Sequence, residues 1–292
     1  MGAAPDRYEL WQALGGRTVD LAGAWTLSEV GGGLSAPFAV PGDVHSALFA
    51  AGLIPDPYFG RNEYGLRWIA DRDWTIARDF DLPAGAPREG WVLELDRLDT
   101  VAEVRLNDEP VLEAANAFRR HRVGVDRALR EGANRLEITI RSATAEANRR
   151  QAAQPWRVPY SIANSPIPNG NMLRKPQCHF GWDWNVALAP LGLYGAARLV
   201  HAPDALIDHV LVTQDHRDGR VRVLVKVAIE AWRRASVPWS IAFAGQHRKG
   251  EIDLSARSSL HEEFEIHRPE LWWPAGLGGQ KLYELIVAVD GG

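Results

Sequence analysis

The 292-residue chain has little that could crosslink it or hold it in a membrane. Its single cysteine is Cys178, so an intrachain disulfide is impossible. No run reaches the roughly 20 apolar residues that a membrane-spanning helix needs. Residues 1–16 lack the basic and apolar segments of a secretory signal peptide. We therefore expect a cytoplasmic protein without a membrane partner, although a signal peptide already removed would leave the same pattern.

Neither sign of charge is concentrated along the chain. It carries 33 basic and 37 acidic residues, for a formal net charge of −4, and contains no basic block. Nucleic-acid-binding proteins present a basic patch or stripe, so we expect no nucleic-acid partner.

Helical periodicity is also scarce. The best candidate begins at Asp43, a suitable N-cap, places Val44 and Leu48 on one face, and stops at Gly52. Residues 144–153 give a weaker helical pattern.

Alternation of apolar and polar residues dominates the rest of the chain. In residues 134–141, for example, Leu136, Ile138 and Ile140 occupy every second place, as in a half-buried strand. The same alternation recurs over residues 91–96, 101–107, 220–229, 237–244, 260–266 and 282–289. Turn signals such as Asn107-Asp108 separate these segments. The pattern predicts an all-β fold of the sandwich or barrel type.

A domain boundary is predicted after Pro203. Residues 154–177 before it are rich in proline and aromatic residues, and a loop of that length is usually functional or disordered. Residues 204–292 contain five or six candidate strands, whereas an immunoglobulin-like sandwich has about seven. We therefore expect domains at 1–203 and 204–292, the second incomplete at its last strand. An open sheet edge there would favour self-association, or disorder over 285–292.

Tryptophan is unusually frequent, with 12 residues against 8 phenylalanines and 6 tyrosines. Trp182 and Trp184 flank Asp183 in the sequence HFGWDWN, residues 179–185. Flat aromatic rings suit the C–H-rich faces of sugars, and an ionised carboxylate accepts strong hydrogen bonds from hydroxyls. The alternative is a strand with both indoles in the core and the carboxylate outside. Gly181 and Asn185 favour a shaped loop.

Other candidate sites are weaker. His261 and His267 share a strand face but lie about 20 Å apart at ~3.3 Å per residue, so they cannot share a metal ion. Arg174 and Lys175 flank Cys178 with positive charge, but no partner constellation accompanies the thiol, which we expect to be inert. We therefore expect no metal site and no cofactor.

Several longer segments resemble the non-catalytic N-terminal part of β-mannosidases of glycoside hydrolase family 2. The resemblance covers nearly the whole chain in order, and the motif at 170–199 is the most distinctive of the set. The matching segments are LAGAWTL (21–27), VPGDVHSALFAAGLIPDPYFGRNE (40–63), LDTVAEVRLND (98–108), GNMLRKPQCHFGWDWNVALAPLGLYGAARL (170–199) and RPELWWPAGLGGQKLYEL (268–285).

The resemblance implies a fold and the location of the catalytic residues. It implies a jelly-roll-like sugar-binding domain, an immunoglobulin-like sandwich, and then a (β/α)₈ barrel that carries two catalytic glutamates and is absent from this chain. No residue of the chain matches those glutamates. Asn62-Glu63 imitates the acid/base dipeptide of the family in composition only, so Glu63 is not expected to be catalytic.

The resemblance also implies site residues. Asp183 would accept hydrogen bonds from a terminal mannose, Trp182 would wall the pocket, and Trp184 would anchor the turn, so the substrate-binding set is Trp182, Asp183 and Trp184. The parent enzyme would hydrolyse terminal non-reducing β-D-mannose residues of an oligosaccharide or glycoconjugate with retention, while this chain alone would be inactive. The alternatives are a free-standing carbohydrate-binding module, or a fragment of an exo-β-glucosaminidase or endo-β-mannosidase of the same family.

Overall fold

The computed structural model describes residues 18–82, 85–161, 165–202, 204–231, 236–255 and 257–289. Two compact units are present, one formed by Thr18–His201 and one by the chain from Ala202 onwards. The domain boundary predicted after Pro203 stays a prediction, and Pro203 itself lies outside the described residues, as do 1–17.

The first unit is an antiparallel β-sandwich around one hydrophobic core. A six-stranded sheet has the order β3-β2-β5-β11-β8-β9, a four-stranded sheet β1-β13-β6-β10, and a small third sheet β4-β12-β7. The strands are β1 Thr18–Asp20, β2 Gly23–Glu29, β3 Ser35–Val40, β4 Gly42–Asp43, β5 Trp74–Leu82, β6 Trp91–Asp96, β7 Leu98–Asp99, β8 Val101–Leu106, β9 Glu109–Ala115, β10 Arg120–Gly124, β11 Gly132–Ile140, β12 Gly192–Leu193 and β13 Ala197–His201.

Alternation produces the expected packing in most strands. Leu136, Ile138 and Ile140 of β11 are fully buried, and their neighbours on β5 and β8 are in register with them. Asn107 and Asp108, which connect β8 to β9, both adopt positive φ, the conformation that a tight hairpin turn requires.

The strand predicted at 91–96 is confirmed as β6, but both of its faces are buried, so the expectation of a half-buried strand is wrong. Residues 91–95 are all buried, and Glu94 lies between Arg122 on β10 and Arg198 on β13. Its carboxylate oxygens accept hydrogen bonds from Arg122 Nε at 2.9 Å and Arg198 Nη2 at 2.6 Å. Burial alone would raise the pKa of Glu94, but the two arginines hold it below its usual value. The polar face of β6 is therefore buried, and the charge of Glu94 on this face is paired with those of the two arginines.

The described residues also form three α-helices, α1 Val44–Ala50, α2 Asn62–Leu66 and α3 Ala143–Ala152, and three short 3-10 helices, Arg67–Asp71, Gly170–Met172 and Gln177–Phe180. In α1 the Asp43 carboxylate accepts the Ser46 amide at 3.0 Å, and Val44 and Leu48 are fully buried. Gly52 follows with φ of +69°, so the predicted start, face and stop are confirmed. The weaker helical pattern at 144–153 corresponds to α3. None of the helices in the described ranges is long and apolar enough to cross a bilayer.

The second unit contains six strands among its described residues: β14 Ala205–Arg217, β15 Arg220–Ala231, β16 Ser236–Phe243, β17 Gln246–Asp253, β18 Arg257–His267 and β19 Leu285–Val289. They form two three-stranded antiparallel sheets, β14-β15-β18 and β17-β16-β19. The alternating valines of β15 are buried in the core, where the rings of Phe243 and Phe264 meet at 5.5 Å. The all-β prediction of a jelly-roll-like sandwich followed by an immunoglobulin-like sandwich is confirmed.

The last strand is shorter than its sequence pattern predicts. Alternation extends over 282–289, but β19 begins at Leu285, because residues 271–284 form a loop that Trp272 and Gln280 close. Since Leu285–Val289 pair with β16, the expected disorder does not hold for them. Residues 290–292 lie outside the described residues.

Candidate functional site

The sequence Trp182–Asn185 forms a tight turn. The backbone N–H of Trp182 donates to the carbonyl of Asn185, and the N–H of Asn185 donates back to the carbonyl of Trp182, both at 3.3 Å. Asp183 and Trp184 occupy the exposed tip. The alternative of a strand with both indoles in the core is therefore not what the structure shows.

The two tryptophans of the turn differ in exposure. Trp182 is 37% exposed and Trp184 is 76% exposed, and their rings meet at 5.1 Å with a 51° tilt. Trp184 was expected to anchor the turn, yet its environment is solvent and the neighbouring indole. Asp183, between the two tryptophans in sequence, is exposed. The role of all three in substrate binding stays a prediction.

A buried ion pair contacts the chain on either side of the turn. Lys175 Nζ is 3.1 Å from Asp99 Oδ1, and both side chains are at most 1% exposed. Lys175 Nζ also donates to the carbonyl of Pro190 at 2.6 Å, while His179 Nδ1 lies 3.3 Å from Asp99 Oδ2. Lys175 thereby links Asp99 on β7 to Pro190 after the turn, and His179 before the turn lies against the same carboxylate.

Burial of this charge has an energetic cost. Desolvation lowers the pKa of Lys175, and the carboxylate of Asp99 opposes that effect. A buried pair is weak evidence for stability, because well-packed apolar residues often serve as well, but loss of one partner is strongly destabilising. The pair therefore serves to hold the loop in one place.

Further hydrogen bonds complete the support of the turn. Asn185 Nδ2 donates to the carbonyl of Cys178 at 3.0 Å, and the Ala189 amide donates to the carbonyl of His179 at 2.7 Å. The carboxylate of Glu63 accepts a hydrogen bond from the backbone N–H of Ala187 at 3.1 Å, two residues after the turn. Cys178 is half-buried.

A pocket of about 400 Å³ opens between α1 and the segment that follows the turn. Ser46 and Phe49 line one side and Asn185 and Val186 the other, with Tyr58 at the mouth. No three His, Cys, Asp or Glu side chains of the described ranges are placed to hold a metal ion.

Sequence reasoning missed both members of the ion pair. Lys175 was considered only as a charge beside Cys178, and Asp99 lies far away in the chain on a two-residue strand. Lys175 gives no distinct signal in the sequence, because it stands beside Arg174 in a segment that contains several other polar residues. The pocket was also missed, because its walls come from segments distant in sequence.

We expect Lys175→Met to destabilise the protein by about 3 kcal/mol, because it leaves Asp99 buried without its cation. Amide hydrogen exchange at 182–185 should accelerate as the loop loses its fastening. Arg174→Met, an exposed neighbour, is the matched control. Equal stability of the two variants in urea denaturation would contradict this role for Lys175.

Burial lowers the pKa of His45 to about 4, and the charge of Lys175 acts in the same direction. Between pH 6.5 and 4 the unfolded chain binds a proton at this ring that the folded chain does not. The free energy of unfolding should therefore fall by up to about 3 kcal/mol as the pH drops through this window. His45→Leu should remove that component in urea denaturation at pH 7 and 4.5. An unchanged pH dependence in the variant would rule out His45 as its source.

Comparison with known proteins places the chain in a family. Residues 25–195 match the model described as "Glycosyl hydrolase 2 galactose-binding domain-like", and residues 205–292 match "Glycosyl hydrolases family 2". A probable β-mannosidase of Caenorhabditis elegans is 30% identical over 292 residues, covering 94% of this chain and 32% of the relative. β-Mannosidase B of Emericella nidulans is 31% identical over 265 residues, covering 88% and 31%.

Solved structures agree with this result. The β-D-mannosidase of Dictyoglomus thermophilum superposes with a TM-score of 0.83 at 27% identity, covering 94% of this chain and 34% of that one. The exo-chitosanase of Amycolatopsis orientalis gives a TM-score of 0.67 at 15% identity, covering 94% and 32%, and shares the fold. The chain thus spans about a third of the length of the relatives it matches. Since the first family model alone spans more than half of its residues, the chain belongs to glycoside hydrolase family 2.

Proposed function

We propose that this chain is the N-terminal, sugar-binding portion of an exo-acting β-mannosidase that hydrolyses terminal non-reducing β-D-mannose residues with retention. The observation that carries the proposal is the match to β-mannosidases over 94% of the chain. The exposed Trp182–Asn185 turn, in a segment held by the buried Lys175–Asp99 pair, is compatible with a preformed sugar contact.

Each residue of the turn has a chemical role in this proposal. Asp183 accepts charge-assisted hydrogen bonds from hydroxyls of the non-reducing mannose. Trp182, partly buried and held against Trp184, offers a flat apolar wall to the C–H face of the sugar. The second indole restricts the first, so less side-chain entropy is lost on binding.

The acid/base chemistry belongs to another part of the proposed enzyme. Retaining glycosidases use two carboxyl groups about 5–5.5 Å apart, one as nucleophile and one as acid/base. We assign both to glutamates of a (β/α)₈ barrel in the same polypeptide, and none to this chain. The partners of the chain are then that barrel and a β-mannoside oligosaccharide or glycoconjugate. The 292-residue chain alone is inactive in this proposal.

An aryl β-mannoside assay tests the function. A protein extended through the catalytic domain should turn the substrate over, whereas the 292-residue chain should not. Asp183→Asn in the extended protein should lower kcat/KM about 100-fold, the loss of a hydrogen bond to a charged group. Asp81→Asn, at an exposed position on β5, is the control and should leave kcat/KM unchanged.

Several outcomes of that assay would contradict the proposal. Turnover by the 292-residue chain alone would disprove its inactivity. An extended protein that cleaves aryl β-glucosaminides, or only internal mannan linkages, would favour one of the alternative family members. A dissociation constant for mannose below about 1 mM would favour a free-standing carbohydrate-binding module. This limit corresponds to a binding free energy of about −4 kcal/mol.

We also infer self-association of the 292-residue chain through β19. This strand pairs with β16 on one side, and its other edge carries no strand among the described residues. Unpaired strand edges template association. Light scattering should therefore detect a dimer, and Ile286→Lys, at a residue 46% exposed, should return it to a monomer. A monomeric wild-type chain would refute the inference.

A further inference from the structure

The pocket between α1 and the segment after the turn lies next to the Trp182–Asn185 turn. Asn185 joins it to the Trp182–Asn185 turn, while Asp183 and the two indoles lie outside its lining. It is therefore adjacent to the proposed mannose contact but separate from it. Its volume of about 400 Å³ is at the small end of the range for ligand pockets, a size suited to one sugar unit.

Exposed aromatic rings stand at the mouth of the pocket. Tyr58 is 75% exposed and Phe49 is 47% exposed, although large aromatic side chains are usually at least partly buried. They reach the pocket from α1 and from the loop that follows it. A flat ring placed beside a cavity that also presents polar groups provides the stacking surface that the C–H face of a pyranose requires.

Two carboxylates supply acceptors at the same place. Asp43 accepts hydrogen bonds from the Ser46 amide at 3.0 Å and the Ser46 hydroxyl at 2.7 Å, and Asp56 accepts the Tyr58 amide at 2.9 Å. A carboxylate has about four acceptor sites. Both side chains can thus accept further hydrogen bonds from the hydroxyls of a ligand.

The floor of the pocket supplies neutral polar groups. His45 is only 4% exposed, and the groups that act on its ring are the Asp43 carboxylate, the Lys175 ammonium and the Leu66 backbone. Burial keeps its pKa near 4, so the ring is neutral at pH 7. Burial, with the charges of Asp43 and Asp99, raises the pKa of Tyr194, so the phenol remains a donor. The described lining residues include no lysine or arginine, which disfavours an anionic ligand.

We propose that this pocket binds a second, neutral hexopyranose unit of a β-mannoside oligosaccharide, next to the unit that Asp183 contacts. The inference rests on the proposed function for the identity of the oligosaccharide. Tyr58 and Phe49 stack on the sugar ring, and Asp43, Asp56 and Tyr194 bond its hydroxyls. The pocket thereby selects what is attached to the terminal mannose.

Titration of the 292-residue chain with mannobiose tests the proposal directly, because the whole pocket lies within this chain. Amide NMR signals of Ser46, Tyr58 and Asn185 should shift, with a dissociation constant above about 1 mM for so open a site. Glucuronic acid, an anionic control, should produce no shifts at these residues.

Two neighbouring variants separate binding from folding. Tyr58→Ala should weaken mannobiose binding about five-fold, the loss of one ring stack. Phe59→Ala removes a ring that is 74% exposed and outside the lining, and should leave the affinity unchanged. Because both positions are exposed, neither variant should alter thermal stability.

Three results would overturn the proposal: no shift at the pocket amides, shifts confined to residues 182–184, or equal effects of the two variants. Tighter binding of glucuronic acid than of mannobiose would overturn the assignment of a neutral sugar. If the extended protein turns over aryl β-mannoside but the NMR signals of the pocket amides do not shift, only the proposal of sugar binding in the pocket is refuted. Pocket shifts without turnover would instead refute the β-mannosidase assignment and, with it, the identity of the oligosaccharide.

Discussion

The buried ion pair between Lys175 and Asp99 is the interaction on which the candidate site depends. Lys175 also bonds the carbonyl of Pro190, and His179 lies against the other oxygen of the same carboxylate. The bonds of Lys175 and the contact of His179 hold the start and the end of the segment that carries the Trp182–Asn185 turn. Because His179 and Pro190 also line the neighbouring pocket, the Lys175–Asp99 pair contacts both the segment that carries the turn and a wall of the pocket.

A second buried charge cluster in the same unit shows what is particular about this pair. Glu94 on β6 bridges Arg122 and Arg198, which lie on the two strands that flank β6. Backbone hydrogen bonds already hold these three strands in register. The segment around Lys175 has no such ladder, since it consists of turns and short 3-10 helices. Apolar packing alone is non-directional and would leave such a loop free to shift. An ion pair with a defined geometry removes that freedom.

The sequence was a good guide wherever neighbours along the chain decide the structure. Alternation identified β11 and β15, and the Asp43 cap with Gly52 identified α1. It failed at β6, where Glu94 was expected at the surface and lies buried between two arginines. It also could not place Lys175, because a lysine is normally exposed and its burial requires a partner that only folding supplies.

The sequence by itself determined the all-β class, the strand pattern and the family, because periodicity and motifs are local properties that folding does not alter. It also identified Asp183 and its flanking tryptophans as the residues to examine. Only the tertiary structure decided that their turn is exposed, that Asp99 holds it, and that α1 and the chain after the turn enclose a pocket. Those features depend on contacts between side chains that are distant in sequence, and such contacts form only when the chain packs into its tertiary structure.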